Sequence, residues 1–395
     1  MSISANLCPA APAPWRTAAG VALQGAILAM FFAASAAPTP LYRLYQDQWG
    51  FSPVMLTVVF AAYAASLLLA LLTVGALSDY VGRRPVICAA LVLEIAAMAL
   101  FIAADSANAL IGARLLQGFA TGAATSVLGA ALIDGSRKHG ALINSVAPLV
   151  GMAVGAVGAG LMASYADAPT LAVYRLLAAI FLLQTILIWG TPETVRYRPG
   201  ALFSLLPRVH VPHAARGALL RITPLNIALW SMGAFSLSLM PSLVRSATGV
   251  ASPLLGGILV CALTLPGAAS VLLMREQSAA RCLMTGTVFL SGGFAVLLAG
   301  VHAGSVTLLV AGMLVIGIGF GSGFLGAVRS IVPLAQQHER GALLSAYYIE
   351  SYIAFSLPAI AAGALARDVG LEATADIYGA FIIAFAIIGV LVRPR

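Results

Sequence analysis

The 395-residue sequence is short of charge. Asp, Glu, Lys and Arg together make up 9% of its residues, whereas a soluble globular domain carries about 25%. Hydrophobic residues make up 61%, and the mean hydropathy is +1.00. A chain of this composition is expected to lie in a lipid bilayer rather than to fold in water.

Several patterns with known chemistry are also missing. The sequence has no GxxxxGK[ST] phosphate loop, so ATP is not indicated as an energy source, and it has no period-two alternation of the kind that builds a membrane β-barrel. The N-terminal segment, residues 1–16, has no apolar stretch before its prolines, so a cleaved signal peptide is not predicted. Metal-ligand spacing is absent from both the cysteines and the histidines, which are Cys8, Cys88, Cys261, Cys282, His139, His210, His213, His302 and His338. We therefore expect no metal, no bound cofactor and no enzymatic activity.

Long apolar runs are what the sequence does contain. A helix needs about 20 mostly apolar residues to cross the hydrocarbon core, and only helices satisfy their own backbone groups there when no closed barrel is present. The sequence thus predicts an all-α membrane protein with twelve spanning helices. They lie near residues 18–38, 53–77, 86–104, 108–133, 143–165, 171–190, 222–244, 252–274, 282–301, 305–331, 342–365 and 375–392.

The basic residues, which give a net charge of +8, are distributed unevenly between the two sides of these spans. Fifteen of the 21 lie in alternate connections and at the termini, and only Arg43, Arg245 and Arg367 lie on the other side. The positive-inside rule therefore predicts a multi-pass protein with both termini in the cytoplasm. This charge sets topology and does not predict a nucleic-acid partner.

The connection of residues 191–221 separates six spans from six. The segment HGALINS, residues 139–145, resembles RGALLSA, residues 340–346, at an offset of 201 residues. We predict an N-terminal six-helix bundle of residues 1–190, a cytoplasmic linker of residues 191–221 and a C-terminal bundle of residues 222–395. Parallel repeats of this kind occur in transporters that move one half against the other.

A family resemblance begins with GALSDYVGRR, residues 75–84, between the second and third spans. This stretch resembles the corresponding loop of the major facilitator superfamily, and its matching positions are Gly75, Asp79, Gly82, Arg83 and Arg84. The resemblance covers nearly the whole chain and implies two pseudo-symmetric six-helix bundles. It also implies a conformational latch, in which Asp79 faces the start of the eleventh helix near Gly341 when the cavity opens outward. The alternative is a solvated loop that only sets topology.

The fourth and fifth spans extend the resemblance. ARLLQGFATGA, residues 113–123, matches a family motif at Arg114, Gln117, Gly118 and Gly122, and Thr121 shares their helical face. In proton-linked drug exporters of the family this arginine is tied to proton coupling. GMAVGAVGAG, residues 151–160, is similar to the glycine-rich signature of the family's antiporters, although Ala156 and Ala159 depart from it. Gly118, Gly122, Gly151, Gly155 and Gly160 are expected to pack helices closely, which is also an ordinary use of small residues.

Two acidic residues lie deep in the predicted spans. Glu350 is roughly 13 Å into the eleventh span, beside Tyr347 and Tyr348. A carboxyl group in such a cavity exchanges protons readily or acts as a substrate counter-charge, and the alternative is an acid satisfied by an arginine or tyrosine. Glu94, in the third span, is a second candidate for proton coupling, although pairing with Arg114 is the preferred interpretation. Asn226 and Trp230 share one side of the seventh span and line either the cavity or a packing face.

The sequence therefore predicts a secondary active transporter that works by alternating access. We expect a monomer in the bacterial inner membrane whose partners are lipid, protons and a small organic substrate, with the proton gradient as energy source. Export by proton antiport of a drug-like compound or a secreted metabolite such as a siderophore is the leading hypothesis. The alternative is proton-coupled symport of a sugar or organic acid into the cell. A non-transporting membrane sensor or enzyme is a minor possibility.

Overall fold

The computed structural model describes residues 14–207, 209–336 and 339–391. Cys8, His338 and most of the N-terminal segment lie outside these residues. Within them the chain forms fifteen α-helices: α1 (Pro14–Ala36), α2 (Pro38–Trp49), α3 (Pro53–Thr73), α4 (Ser78–Val81), α5 (Arg83–Ala103), α6 (Ala107–Gly135), α7 (Gly140–Tyr165), α8 (Pro169–Leu187), α9 (His213–Ser238), α10 (Met240–Thr248), α11 (Pro253–Leu273), α12 (Ala279–His302), α13 (Val306–Ile331), α14 (Arg340–Val369) and α15 (Leu371–Leu391).

Twelve segments are long and apolar enough to cross a membrane, as predicted. The first combines α1 and α2, and the other eleven are α3, α5 to α9 and α11 to α15. No β-strand occurs in the described part of the chain. The all-α, twelve-span fold class is therefore confirmed.

The first span extends further than predicted, because its two prolines bend the helix without ending it. The apolar segment continues from Ala18 to Trp49, whereas the sequence suggested an end near residue 38. Pro38 has no backbone N–H, so the carbonyl of Ala34 loses its usual helical donor. That free carbonyl becomes part of the candidate site described below.

The same neighbours recur in the first six and the last six spanning helices. In the first set, α6 packs against α3 and α5, while α1 packs against α7. In the second set, α13 packs against α11 and α12, while α9 packs against α14. Corresponding helices also begin alike, since the hydroxyls of Ser52 and Ser252 each cap the first turn of α3 and α11 just before a proline. The two six-helix bundles are thus pseudo-symmetric.

The connection between the bundles is shorter than the predicted linker. Helix α9 begins at His213, inside the segment 191–221 assigned to that linker. Its first residues carry Arg216 and Arg221, whose long side chains are compatible with a helix that extends beyond the lipid. The remaining connection includes a short 3-10 helix, Ala201–Leu205, that packs against α3 and α4. The domain boundaries themselves remain predictions.

The molecule has two ends, which we call the basic side and the opposite side. The basic side carries the connections α3–α5, α6–α7, α8–α9, α11–α12 and α13–α14. The bundles meet through two equivalent helix pairs, α3 with α14 and α7 with α11. Along α7, residues 142–150 are all partly exposed, whereas Gly151, Ala153, Ala156, Ala159 and Gly160 are buried. The bundles therefore pack more closely on the opposite side than on the basic side.

Candidate functional site

Glu350 lies on α14 and faces α9. It is the eleventh residue of its helix, about 15 Å along the axis from Arg340. Asn226 donates a hydrogen bond from Nδ2 to Oε1 of Glu350 at 2.9 Å, and Thr223 donates from Oγ1 to Oε2 at 3.0 Å. The carboxyl group is partly exposed, and no arginine, lysine or histidine of the described chain lies within ion-pair distance of it. It is thus a hydrogen-bonded acid without a counter-charge.

The side chains around Glu350 hold α9 and α14 in register. Asn226, which is fully buried, also donates to Oγ of Ser351 at 3.0 Å. One turn further, Oγ of Ser231 donates to the carbonyl of Ala354 at 2.9 Å. That carbonyl is free because Pro358, four residues later, has no N–H to offer it. Thr223, Ser231 and Ser351 were not predicted as site residues, since their role depends on the register between two helices far apart in sequence.

Aromatic rings extend from Glu350 along the interface between the bundles. Trp230 packs against Tyr352, with ring centroids 5.0 Å apart, and against Phe355 at 5.9 Å. Tyr348 lies 5.6 Å from Tyr347 and 6.3 Å from Tyr352. Trp230, Tyr348 and Tyr352 are partly exposed, whereas Tyr347 is fully buried. Of these residues, Phe355 was not singled out from the sequence.

A second polar cluster is enclosed in the N-terminal bundle. Arg114, Gln117 and Glu94 are each no more than 1% exposed. Arg114 donates to Oε1 of Gln117 at 2.6 Å, and Gln117 donates from Nε2 to Oε1 of Glu94 at 3.2 Å. Gln117 thus links the two charges, and Arg114 and Glu94 are not within ion-pair distance of each other. Thr121 is buried on the same face, and its hydroxyl donates to the carbonyl of Gln117 at 2.9 Å.

This cluster also supports the bend in the first span. Gln117 donates to the carbonyl of Ala34, the group left without a donor by Pro38, at 3.1 Å. Arg114 donates to the carbonyl of Ser35 at 3.1 Å. Its guanidinium carbon also lies 4.4 Å from the ring centroid of Tyr63 and 5.7 Å from that of Phe60. A buried arginine is therefore stabilised by carbonyls and by aromatic faces.

The two clusters approach each other through aromatic contacts. Phe60, which lies under Arg114, packs against Phe355 of the other bundle with ring centroids 4.9 Å apart. Phe355 in turn contacts Trp230 and Tyr352. The two polar clusters thus lie on either side of an aromatic contact between the bundles.

The loop of residues 75–84 forms a compact ionic cluster on the basic side. Arg83 pairs with Asp79 at 2.6 Å and with Asp134, at the end of α6, at 3.1 Å. The backbone of Gly82 has φ of +100°, a conformation that favours glycine. Gly75, in the turn after α3, faces Ser126 of α6. Among the described residues Asp79 makes no hydrogen bond or ion pair to the start of α14 near Gly341, so the predicted latch is not formed in this conformation.

Glu193 holds the start of α5. Its two carboxylate oxygens accept hydrogen bonds from the backbone N–H groups of Arg83 and Arg84, both at 2.9 Å. Burial by itself would raise the pKa of Glu193, but these bonds and those from the N–H groups of Val195 and Thr194 outweigh it, so the pKa lies below its usual value. Only the fold reveals that this acid caps a helix that begins 110 residues earlier in the chain.

The glycines of α6 and α7 lie where helices approach most closely. A methyl group at Gly118 or Gly122 would overlap the backbone of α3 at Tyr63 and Leu67. One at Gly151 or Gly155 would overlap the backbone of α1 at Ala29 and Ala33. Gly160 faces α11 of the other bundle, and a Cβ there would lie 3.0 Å from Cα of Leu254. These positions leave no room for a side chain.

On the opposite side, a cavity of about 450 Å³ lies between the bundles. Asp47 of α2 is held there by Arg43 of the same helix at 2.7 Å. Across the interface, Arg245 of α10 reaches the same carboxylate at 3.5 Å. Asp47 therefore connects the two bundles by a charge pair.

Comparison with known proteins identifies the class. A sequence model of the Major Facilitator Superfamily matches residues 22–276. The chain therefore belongs to this superfamily and is a membrane transporter, not an enzyme. No curated protein matches the sequence. In the described chain no group of three or more His, Cys, Asp and Glu side chains is placed to hold a metal ion.

Solved structures show the same fold. A mutant of the nucleoside transporter NupG superimposes with a TM-score of 0.74 and 11% identity, over 95% of this chain and 100% of that one. The human organic anion transporter MFSD10 superimposes with a TM-score of 0.67 and 17% identity, over 96% of this chain and 100% of that one. At these identities the similarity concerns the fold alone.

Proposed function

We propose that this transporter exports a small organic compound, a drug-like molecule or a secreted metabolite, in exchange for protons. The observation that carries the proposal is Glu350, a partly exposed carboxyl group deep in a spanning helix, with two hydrogen-bond donors and no cation of the described chain beside it. An ionisable group in such a place is costly, so its presence indicates a functional role. Glu350 is accordingly the proton-exchanging residue.

The hydrogen bonds explain how a proton would change the site. As a carboxylate, Glu350 accepts from Asn226 and Thr223, and both donors stabilise the negative charge. Protonation removes that charge and turns one acceptor oxygen into a donor. The carboxyl group of Glu350 either binds a proton or stays ionised beside the substrate. Proton and substrate therefore occupy the site alternately, and this alternation is antiport.

Arg114 and Glu94 take part in coupling as a compensated pair. Both are fully buried and connected through Gln117, so their charges offset each other locally. Their bonds to the carbonyls of Ala34 and Ser35 connect this pair to the junction between α1 and α2. The net charge of the site is therefore governed by Glu350.

The proposal also includes the direction of transport and the orientation of the protein in the membrane. The uneven distribution of basic residues supports cytoplasmic termini in a bacterial inner membrane, with the basic side inward. The bundles separate towards that side, which is the face from which an exporter loads its substrate. The latch between Asp79 and the start of α14 would form in the opposite, outward-open conformation.

Everted membrane vesicles test the proposal. Compounds whose toxicity falls on expression are added to respiring everted vesicles, and acridine orange fluorescence reports the acidity of the interior. Antiport predicts that such a compound releases protons from the interior and is itself accumulated there. Accumulation in right-side-out vesicles driven by an inward proton gradient would instead establish uptake by symport and overturn export.

A further inference from the structure

The charge of the substrate follows from the charges that the site leaves uncompensated. In the N-terminal bundle the buried side chain of Gln117 lies between Arg114 and Glu94 and bonds to both. In the C-terminal bundle Glu350 has hydrogen-bond donors but no cationic partner among the described residues. An ionised Glu350 is therefore a negative charge with no cation of the described chain beside it.

The groups around Glu350 do not supply a positive charge. From α9 it faces the neutral side chains of Thr223 and Asn226. The titratable groups of the surrounding helices are phenols: Tyr347, Tyr348 and Tyr352 on α14 itself, Tyr63 of α3 near Tyr352, and Tyr378 of α15, which bonds to Ser231. None of these carries a positive charge at any pH. The site therefore disfavours an anion.

The aromatic rings near Glu350 make the site suited to cations and to apolar groups. Trp230, Tyr348 and Tyr352 are partly exposed, lie within a turn or two of Glu350 or Asn226, and are spaced 5.0 to 6.3 Å apart. Ring faces attract cations, most strongly when water is excluded. They also bury apolar and aromatic groups, which a strongly hydrated sugar does not offer.

We propose that the site binds an organic cation carrying an aromatic or large apolar group, with its charge opposite Glu350 and its apolar body against Trp230, Tyr348 and Tyr352. This inference rests on the proposed function, because it names the substrate class of the same site. Protonated Glu350 is neutral and no longer balances the cation. Binding of one monovalent cation to the protonated site therefore releases one proton from Glu350, and total charge is conserved.

Two ions of nearly the same size and opposite charge test the inference. Binding of tetraphenylphosphonium and of tetraphenylborate to the purified full-length protein in detergent is measured by calorimetry near pH 8, with empty micelles subtracted. The Glu350→Gln variant keeps the size of the side chain and removes its charge. Glu372→Gln, at an exposed position at the start of α15, is the matched control.

The expected result is saturable phosphonium binding that Glu350→Gln weakens by at least about tenfold, or about 1.4 kcal/mol, while Glu372→Gln leaves it unchanged. In a separate, weakly buffered solution acid enough to protonate free Glu350, binding should release protons from wild type and not from Glu350→Gln. Tyr352→Leu should weaken phosphonium binding without abolishing the proton exchange of Glu350.

Equal affinity for the two ions, or phosphonium binding that Glu350→Gln does not change, would overturn the cation assignment. Proton antiport seen in vesicles would survive that result, so the two failures are distinguishable.

Discussion

At the scale of single residues, the protein accommodates buried charge in two different ways. Arg114 and Glu94 are fully enclosed, and Gln117, backbone carbonyls and an aromatic ring supply most of their contacts. Glu350 is partly exposed and has only neutral donors. A charge that is permanently compensated supports structure, whereas one that is open to solvent and has no counter-ion is available for exchange.

Glu193 gives a residue-scale prediction about acid stability. Its folded-state pKa is lowered, so it contributes stability above its ordinary pKa of about 4.5, and this contribution is lost as the pH falls through the lower folded value. We expect the melting temperature of purified wild type to fall more steeply below about pH 4.5 than that of Glu193→Gln. Thermal unfolding in detergent at pH 7 and in acid measures the difference.

Glu276→Gln is the control for that experiment, because Glu276 is an exposed acid on the same side of the molecule. Its acid sensitivity should match that of wild type. Equal pH profiles for wild type and Glu193→Gln would show that the carboxylate cap on α5 contributes nothing to stability.

Individual residues also show which features of the candidate site could be predicted from the sequence and which could not. The depth of Glu350 follows from counting along one apolar run, and it could be predicted. Its partners Thr223 and Ser351 could not, because they depend on how α9 is rotated against α14. The same holds for Gln117, whose place between Glu94 and Arg114 requires the relative position of α5 and α6.

At the scale of helices, the length of an apolar run predicts the existence of a spanning helix more reliably than it predicts the residue at which that helix ends. Pro38 and Pro40 appeared to end the first span, yet the chain remains helical to Trp49 because side chains of α6 satisfy the freed carbonyl. Similarly, the arginines near residue 216 suggested a linker, but α9 already begins at His213. Such ends depend on tertiary partners or on helical extension outside the lipid.

The contact between α7 and α1 gives an element-scale prediction with an internal control. Gly155 lies against the backbone at Ala33, whereas a Cβ at Gly158 on the same helix would meet nothing within 4 Å. We expect Gly155→Ala to lower stability by about 1–3 kcal/mol through overpacking. Gly158→Ala should be neutral or stabilising by up to about 1 kcal/mol.

Melting temperatures of the two variants in the same detergent provide the measurement. Equal effects of the two substitutions would mean that α1 and α7 do not approach as closely as described. A lower melting temperature for Gly155→Ala alone would support the close contact.

At the scale of the whole molecule, the bundles are joined on the opposite side and separate on the basic side. Asp47 and Arg245 connect α2 to α10 across the opposite side. Both are exposed, and such a pair contributes only about 0–1 kcal/mol. A contact of this strength would allow the opposite side to open, whereas a much stronger one would favour a single conformation.

Breaking this pair should shift the protein towards opening on the opposite side. Thr39, which is 1% exposed and adjacent to the cavity residue Pro40, is replaced by cysteine in a chain whose native cysteines have been removed. We expect Asp47→Asn to increase its labelling by a membrane-impermeant thiol reagent in cells, by up to about fivefold for 1 kcal/mol.

Asp105→Asn is the control for the labelling experiment, because Asp105 lies on the same side and bonds only to its neighbour Ser106. It should leave the labelling rate unchanged. A rate that Asp47→Asn does not raise above the Asp105→Asn level would exclude a gating role for the pair.

The central claim is that Glu350 carries the proton that drives transport. Proteoliposomes containing wild type, Glu350→Gln or Glu372→Gln are loaded with a pH-sensitive dye, and a compound identified in the vesicle experiment is added. We expect that Glu350→Gln still exchanges that compound across the membrane but moves no protons with it, whereas Glu372→Gln behaves as wild type. Proton movement by Glu350→Gln at the wild-type rate would contradict it.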